Sequence, residues 1–162
     1  MQHWALCVVL LLISSCASHG LNIKHVNRNI TYPVALNNFE ALKGQSVIWG
    51  GKIVAGKNLK NTTEIEILAF AQDSYDEPIK DSRSYGRFLA EHPGYLELGE
   101  YSKDRWVTLV GSLRAIRVAK VGESDYTYPV IHIEQIKLWP IETDYPESDF
   151  GIHFGFGTFH RF

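Results

Sequence analysis

The chain has 162 residues, a formal net charge of −2, 45% hydrophobic residues and 21% charged residues. That length and apolar fraction describe one globular domain with short extensions and exclude wholesale disorder. The near-zero charge argues against an electrostatically driven nucleic-acid binder, and two cysteines exclude a disulfide-dense scaffold or a multi-cysteine zinc site.

Trp4 to Ile13 is a continuous uncharged apolar run, WALCVVLLLI. It has half the length that a helix needs to cross a bilayer, and it fits the hydrophobic region of a signal peptide. The quartet Ile13-Ser14-Ser15-Cys16 resembles a bacterial lipobox. That resemblance implies cleavage between Ser15 and Cys16, a diacylglycerol thioether on Cys16 and acylation of the new amino terminus. Met1-Gln2-His3 departs from the pattern in lacking Lys or Arg, so the α-amino group must supply the positive charge. The alternative is an ordinary cleaved signal peptide with Cys16 incidental. With Cys16 lipidated and Cys7 removed, no disulfide is possible and the core alone holds the fold. By the same resemblance, Ala17 in place of Asp implies sorting to the outer membrane. The sequons at Asn29 and Asn61 are taken as incidental.

His19 to Asn38 is polar and aperiodic and is expected to be a tether, with Leu36, Phe39 and Leu42 beginning to dock. Strand-like runs follow. Ser46 to Val54 is β-rich and interrupted by Gly50-Gly51, a mark of a bulge or sharp bend. Lys57 to Asn61 is a hairpin loop. In Thr63 to Ala71, Glu64 and Glu66 point one way and Ile65, Ile67 and Ala69 the other. Gln72 to Ser82 is a polar turn region, Tyr85 to Ala90 a short strand, and Gly94 to Tyr101 mixed. Trp106 to Val118 is a long strand bent at Gly111. Gly122 to Tyr126 is a turn before a final strand, Tyr128 to Trp139. There Val130, His132, Glu134, Ile136 and Leu138 are expected on one face, with Ile131, Ile133 and Lys137 on the other. Five or six bent strands with little helix predict an all-β protein, a small closed barrel of OB-fold type, with an SH3-like barrel as runner-up.

These segments resemble the bacterial carbon-starvation-inducible (Slp) outer-membrane lipoprotein family. The resemblance is carried by Gly44-Gln45-Ser46-Val47-Ile48-Trp49-Gly50-Gly51, Thr63 to Phe70 with Asp73 and Pro78, Ser84-Tyr85-Gly86-Arg87-Phe88 and Gly94-Tyr95-Leu96. It continues through Trp106 to Gly111, Val121-Gly122-Glu123, Tyr126 to Val130 and Leu138-Trp139-Pro140. Ile48 stands where the family usually has Arg, and Glu97-Leu98 where it often has Asp-Pro. The implied organisation is a signal peptide (1–15), a lipidated N-terminus and tether (16–41), an Slp-like β-barrel domain (42–140) and a Gly/aromatic tail (141–162). The implied role is a lipid-anchored protein of the outer membrane, facing the periplasm and acting in envelope stability or the starvation response. The implied partners are the membrane itself, through the anchor, and an envelope protein; nucleic acid is not expected. The resemblance carries over no catalytic residue.

The residues themselves point to no enzyme. Phosphate-loop, H-E-x-x-H and G-x-S-x-G patterns are missing from the sequence. Of the seven histidines, His132 is expected as a half-buried strand residue, His92 in a loop, His19 and His25 in the tether, and His153 and His160 in the tail, with no metal expected. Asp73, Asp76, Glu77 and Asp81 share one loop without the ordered calcium pattern. Arg87 and Glu123 are a candidate ion pair. Trp49, Tyr126, Tyr128 and Trp139 are candidates for an aromatic binding face, weighed against burial in the core. No cofactor is expected beyond the lipid on Cys16, and the ligand-binding residues are not identified. The alternative function is a periplasmic binding module for a small envelope ligand or glycan. The tail, FGIHFGFGTFHRF, is expected to pack on the barrel or lie at the bilayer interface; its terminal Phe162 also resembles the end signal of transmembrane barrels.

Overall fold

The computed structural model describes residues 20–141, so Ser15, Cys16 and the tail 142–162 lie outside the described residues. Five strands run through it: β1 (Ser46–Asn58), β2 (Thr62–Phe70), β3 (Gly86–Pro93), β4 (Trp106–Val121) and β5 (Ser124–Leu138). They hydrogen-bond in the order β1-β2-β3-β5-β4, and β1 pairs with β4 to close the ring. Every pairing is antiparallel except β3 with β5. The all-β expectation with five strands is met, and the order is compatible with an OB-like architecture.

Alternation builds the interior. Ile65, Ile67 and Ala69 of β2 face inward with Val47, Trp49 and Ile53 of β1, Phe88 and Ala90 of β3, Val107, Leu109 and Leu113 of β4, and Ile131 and Ile133 of β5. Trp49 lies edge-on to Phe88, with ring centroids 5.2 Å apart. The two suspected bends are places where backbones nearly touch. A Cβ on Gly51 would collide with the Leu68 carbonyl, and one on Gly111 with the His132 carbonyl.

β5 departs from its expected faces. Val110 pairs with Gln135 but Gly111 with Ile133, so Glu134 is an extra residue. Such a bulge exchanges the two faces of a strand. Ile131 and Ile133 therefore point inward before it, and Ile136 and Leu138 pack on the core after it. The expected turn Gly122 to Tyr126 is also shorter than anticipated. Val121 pairs with Ser124, and Gly122 takes a φ of +59°, so the hairpin closes over two residues.

The expected tether is corrected from Ile30 onward. Residues 32–42 form two short helices, α1 (Tyr32–Asn37) and α2 (Phe39–Leu42), with Pro33 in the first turn of α1. Ile30, Tyr32, Ala35 and Phe39 are buried in the core, and the Trp49 indole N–H donates to the Ile30 carbonyl at 2.8 Å. The apolar residues of this strap plug one end of the ring. They are spaced for one contact surface rather than for a long helix, which is why no period shows. Packing against the ring thus starts ahead of residue 42.

Candidate functional site

Two structured regions carry polar chemistry. The first is where the strap meets the ring, around a cavity of about 260 Å³. Arg28, Tyr32, Trp49, Gln72, Asp76 and Tyr85 are among its lining residues. Arg28 forks onto both carboxylate oxygens of Asp76. Asp76 sits at φ +65° in the acidic loop, and its carbonyl accepts from Gln72 Nε2 at 3.0 Å and Thr108 Oγ1 at 2.6 Å. Asp73 Oδ1 accepts the backbone N–H groups of Tyr75 and Glu77, at 2.8 and 2.9 Å. The acidic loop is thus a bridged structural turn that the strap clamps.

The second region is the outer face of β2, β3, β4 and β5. Glu64 and Glu91 stand directly opposite each other on β2 and β3. Two like charges in that position repel. Arg117 of β4 resolves the conflict: Nη1 pairs with Glu64, and Nη2 reaches Glu91 Oε1 at 2.6 Å. Lys57 Nζ also reaches Glu64, at 2.7 Å. Burial pushes the Glu64 pKa up, but the bonds from Lys57 and Arg117 outweigh it and hold the carboxyl below its ordinary value. Glu64 is a fixed anion at neutral pH, not a proton donor.

One step along, Glu66 Oε1 accepts from Arg87 Nη1 at 2.7 Å and from the Tyr128 hydroxyl at 3.0 Å. Arg87 therefore pairs with Glu66, and the expected Arg87–Glu123 pair is corrected: the carbonyl of Glu123 accepts from Lys120 instead. The register places Glu123 at the tip of the β4–β5 hairpin, away from Arg87. The Tyr126 hydroxyl accepts the Arg87 backbone N–H at 2.8 Å, and the Tyr32 hydroxyl donates to the Arg87 carbonyl at 3.2 Å. Both hydroxyls crowd Gly86, whose φ of +138° and missing Cβ let them close on the backbone. Burial, then the Tyr126 contact, pushes the Tyr32 pKa up, and burial with the Glu66 bond raises that of Tyr128. These phenols are standing donors in a lattice of ion pairs and hydrogen bonds.

The suspected aromatic face is dispersed. Trp49 is inside the ring, Tyr126 and Tyr128 pack together on the outer face at 4.8 Å, and Trp139 sits at the start of β4 beside Trp106. His25 is exposed, His132 is half-buried on β5, and His92 lies in β3 rather than a loop. Among the described residues, no set of three His, Cys, Asp or Glu side chains gathers as a metal site. Arg117 and Lys57 were not singled out by sequence; two acidic residues alternating on an otherwise apolar strand were the signal that partners must exist.

The profile of the Outer membrane lipoprotein Slp family matches residues 13–158. The chain belongs to this family. The outer membrane protein Slp of Escherichia coli is 29% identical over 147 residues, covering 86% of this chain and 78% of that one. An uncharacterized protein of Haemophilus influenzae is 36% identical over 108 residues, covering 65% of this chain and 58% of that one. The uncharacterized lipoprotein YeaY of Escherichia coli is 31% identical over 96 residues, and the aligned part spans 49% of its length. Among solved structures, a mitochondrial single-stranded DNA-binding protein of S. cerevisiae is similar at a TM-score of 0.40 and 17% identity, over 62% of this chain and 100% of that chain. A small single-stranded DNA-binding protein of Streptomyces coelicolor gives 0.41 and 14%, over 59% and 94%. In this Slp-family chain the matched span begins at Ile13, so it takes in the quartet ending at Cys16 as well as the strap and the ring.

Proposed function

We propose that this chain is a lipoprotein of the outer membrane, cleaved between Ser15 and Cys16, acylated on Cys16 and facing the periplasm. Its role is non-enzymatic, in envelope stability or the response to starvation. The observation that carries this reading is the family match from Ile13 to residue 158, which joins the lipobox-like quartet and the folded ring in one span. The mechanism is positional. Acyl chains hold the protein at the bilayer; two or more such chains make dissociation negligible, since each buried methylene adds about 0.8 kcal/mol. The strap, clamped by Arg28 to Asp76, then sets how an OB-like barrel stands relative to the anchor, and a face of the barrel meets an envelope partner. The test is the intact mass of membrane-extracted protein beside a Cys16→Ser control. A chain beginning at Cys16 with added acyl mass, absent from the control, is the expected result. An unmodified chain with another N-terminus would overturn the reading.

A second reading, a binding module for a small envelope ligand, is favoured by the strap cavity with its polar lining of Arg28, Gln72 and Tyr85. Its test is a thermal-shift survey of periplasmic metabolites and glycan fragments, in which a shift abolished by Arg28→Ala and Tyr85→Ala together supports it.

A further inference from the structure

The end of the ring where β4 begins and β5 ends carries a concentration of positive charge on a chain whose net charge is −2. A cavity of about 430 Å³ opens there, lined by Lys80, Lys103, Asp104, Arg105, Trp106 and Trp139, with Pro140 and Ile141 at its rim. Lys137 adds another cation, its Nζ lying 3.5 Å from the Trp139 ring centroid. Lys52 packs over Trp106 at 5.8 Å and pairs with Asp104 at 3.6 Å. Lys80 pairs with Glu77 at 3.3 Å. Arg105 donates to main-chain carbonyls, Glu100 at 3.2 Å and Trp139 at 3.1 Å, so among the described residues its charge is oriented without a carboxylate. Lys103 is exposed and makes no ion pair among the described residues. The Trp139 indole is buried beneath these cations, its N–H donating to Thr108 Oγ1 at 2.9 Å, and holds Lys137 at the surface. Clustered cations beside an exposed isoleucine, 65% accessible, suit a surface that meets a lipid–water interface.

The described residues nearest both termini lie toward this end of the ring. Asn22 donates its backbone N–H to Gln135 Oε1 on β5 at 2.8 Å. Gln135 is three residues from Leu138, about 10 Å along a strand. Cys16 is six residues before Asn22, a span of at most about 20 Å. An anchor on Cys16 is therefore tethered within about 30 Å of this end of the ring, a reach that allows the end to rest on the bilayer. Beyond Ile141, at the rim of the same cavity, the sequence runs on to the phenylalanine-rich tail.

We infer that the Lys103–Arg105–Lys137 patch, with Ile141 at its rim, docks on the anionic phospholipid headgroups of the leaflet that holds the anchor and so fixes how the barrel stands on the membrane. The inference deepens the reading of an outer-membrane lipoprotein and names the surface that faces the bilayer. Electrostatic attraction at a charged surface acts within a Debye length, about 8 Å at physiological salt, so only a surface held near the membrane profits from it.

The test uses the full mature chain with Cys16→Ser, without acyl groups, so that any binding belongs to the protein surface. Co-sedimentation is measured with vesicles of phosphatidylethanolamine and phosphatidylglycerol, and with vesicles of phosphatidylcholine alone. Expected are at least tenfold tighter binding to the anionic vesicles, weakening as salt rises, and at least a tenfold loss in Lys103→Glu/Lys137→Glu. Lys120→Glu, at the hairpin tip on the far side of the ring, leaves binding unchanged. Circular dichroism confirms that each variant is folded, and Lys103→Glu alone, at an exposed position, is the fallback variant. Equal binding to both vesicle types would overturn the inference. So would binding that survives the reversals but disappears on removing residues 142–162, which would assign the contact to the tail. Binding of a single-stranded oligonucleotide to the patch with no binding to vesicles would overturn it as well. Acylation of Cys16 is read separately by mass, so the anchor and the docking face can fail independently.

Discussion

The two faces of β2 make an instructive contrast. Ile65 and Ile67 point into the ring and are fully buried, while Glu64 and Glu66, between and beside them, point outward. Yet Glu64 is only 5% exposed, nearly as covered as its apolar neighbours. Inside, the sequence requirement is shape: any well-fitted apolar side chain removes area from water. Outside, the requirement is a set of partners, because a carboxylate withdrawn from water must be compensated by charge and hydrogen bonds. One strand thus obeys two rules at adjacent positions, and the tolerance of each position to change differs accordingly.

The contrast predicts a ranked series of effects. Phe88→Ala, which empties the space against Trp49, is expected to cost about 3–5 kcal/mol in chemical denaturation with little change in pH dependence. Should it cost under about 1 kcal/mol, the interior of the ring would not be the close-packed core described here. Gly111→Ala forces a Cβ against the β5 backbone and is expected to cost about 1–3 kcal/mol. The same substitution at the hairpin glycine, Gly122, meets no neighbouring atom, so only its positive φ opposes it.

Glu64→Gln is expected to cost about 1–3 kcal/mol, as for a buried charged hydrogen-bonding group. Its signature lies in pH. The folded-state pKa of Glu64 is lowered, so its contribution is complete above the ordinary glutamate range. It shrinks as pH falls below about 4.3 and is gone once pH passes below the folded-state value. Stability curves of Glu64→Gln and the parent chain should converge in acid; curves that stay parallel down to low pH would contradict the ion-pair assignment. Arg28→Ala is the smallest effect. Arg28 is 48% exposed, so breaking its pair with Asp76 should cost no more than about 1 kcal/mol. Proteolysis of the strap, rather than global unfolding, is the measurement suited to detect it.

The recurrence of acid and isoleucine along β2, the glycines that mark close backbone approaches and the order of motifs shared with the Slp family were all legible in the sequence. These are local signals: a period of two, a residue without a Cβ, a run of characteristic words. Three features were not legible, for one physical reason. The strap's docking through Ile30, Tyr32 and Ala35, ahead of the expected contacts at Phe39 and Leu42, depends on where the ring leaves its end open. The grip of Arg117 on Glu64 joins residues 53 positions apart and needs the long β4–β5 hairpin in register. The patch of Lys103, Arg105 and Lys137 exists because the β4–β5 hairpin, in register along its whole length, brings the start of β4 beside the end of β5. Alternation says which side of a strand a residue faces; the bulge at Glu134 and the closure of β1 onto β4 decide what stands opposite, and those depend on the whole chain folding at once.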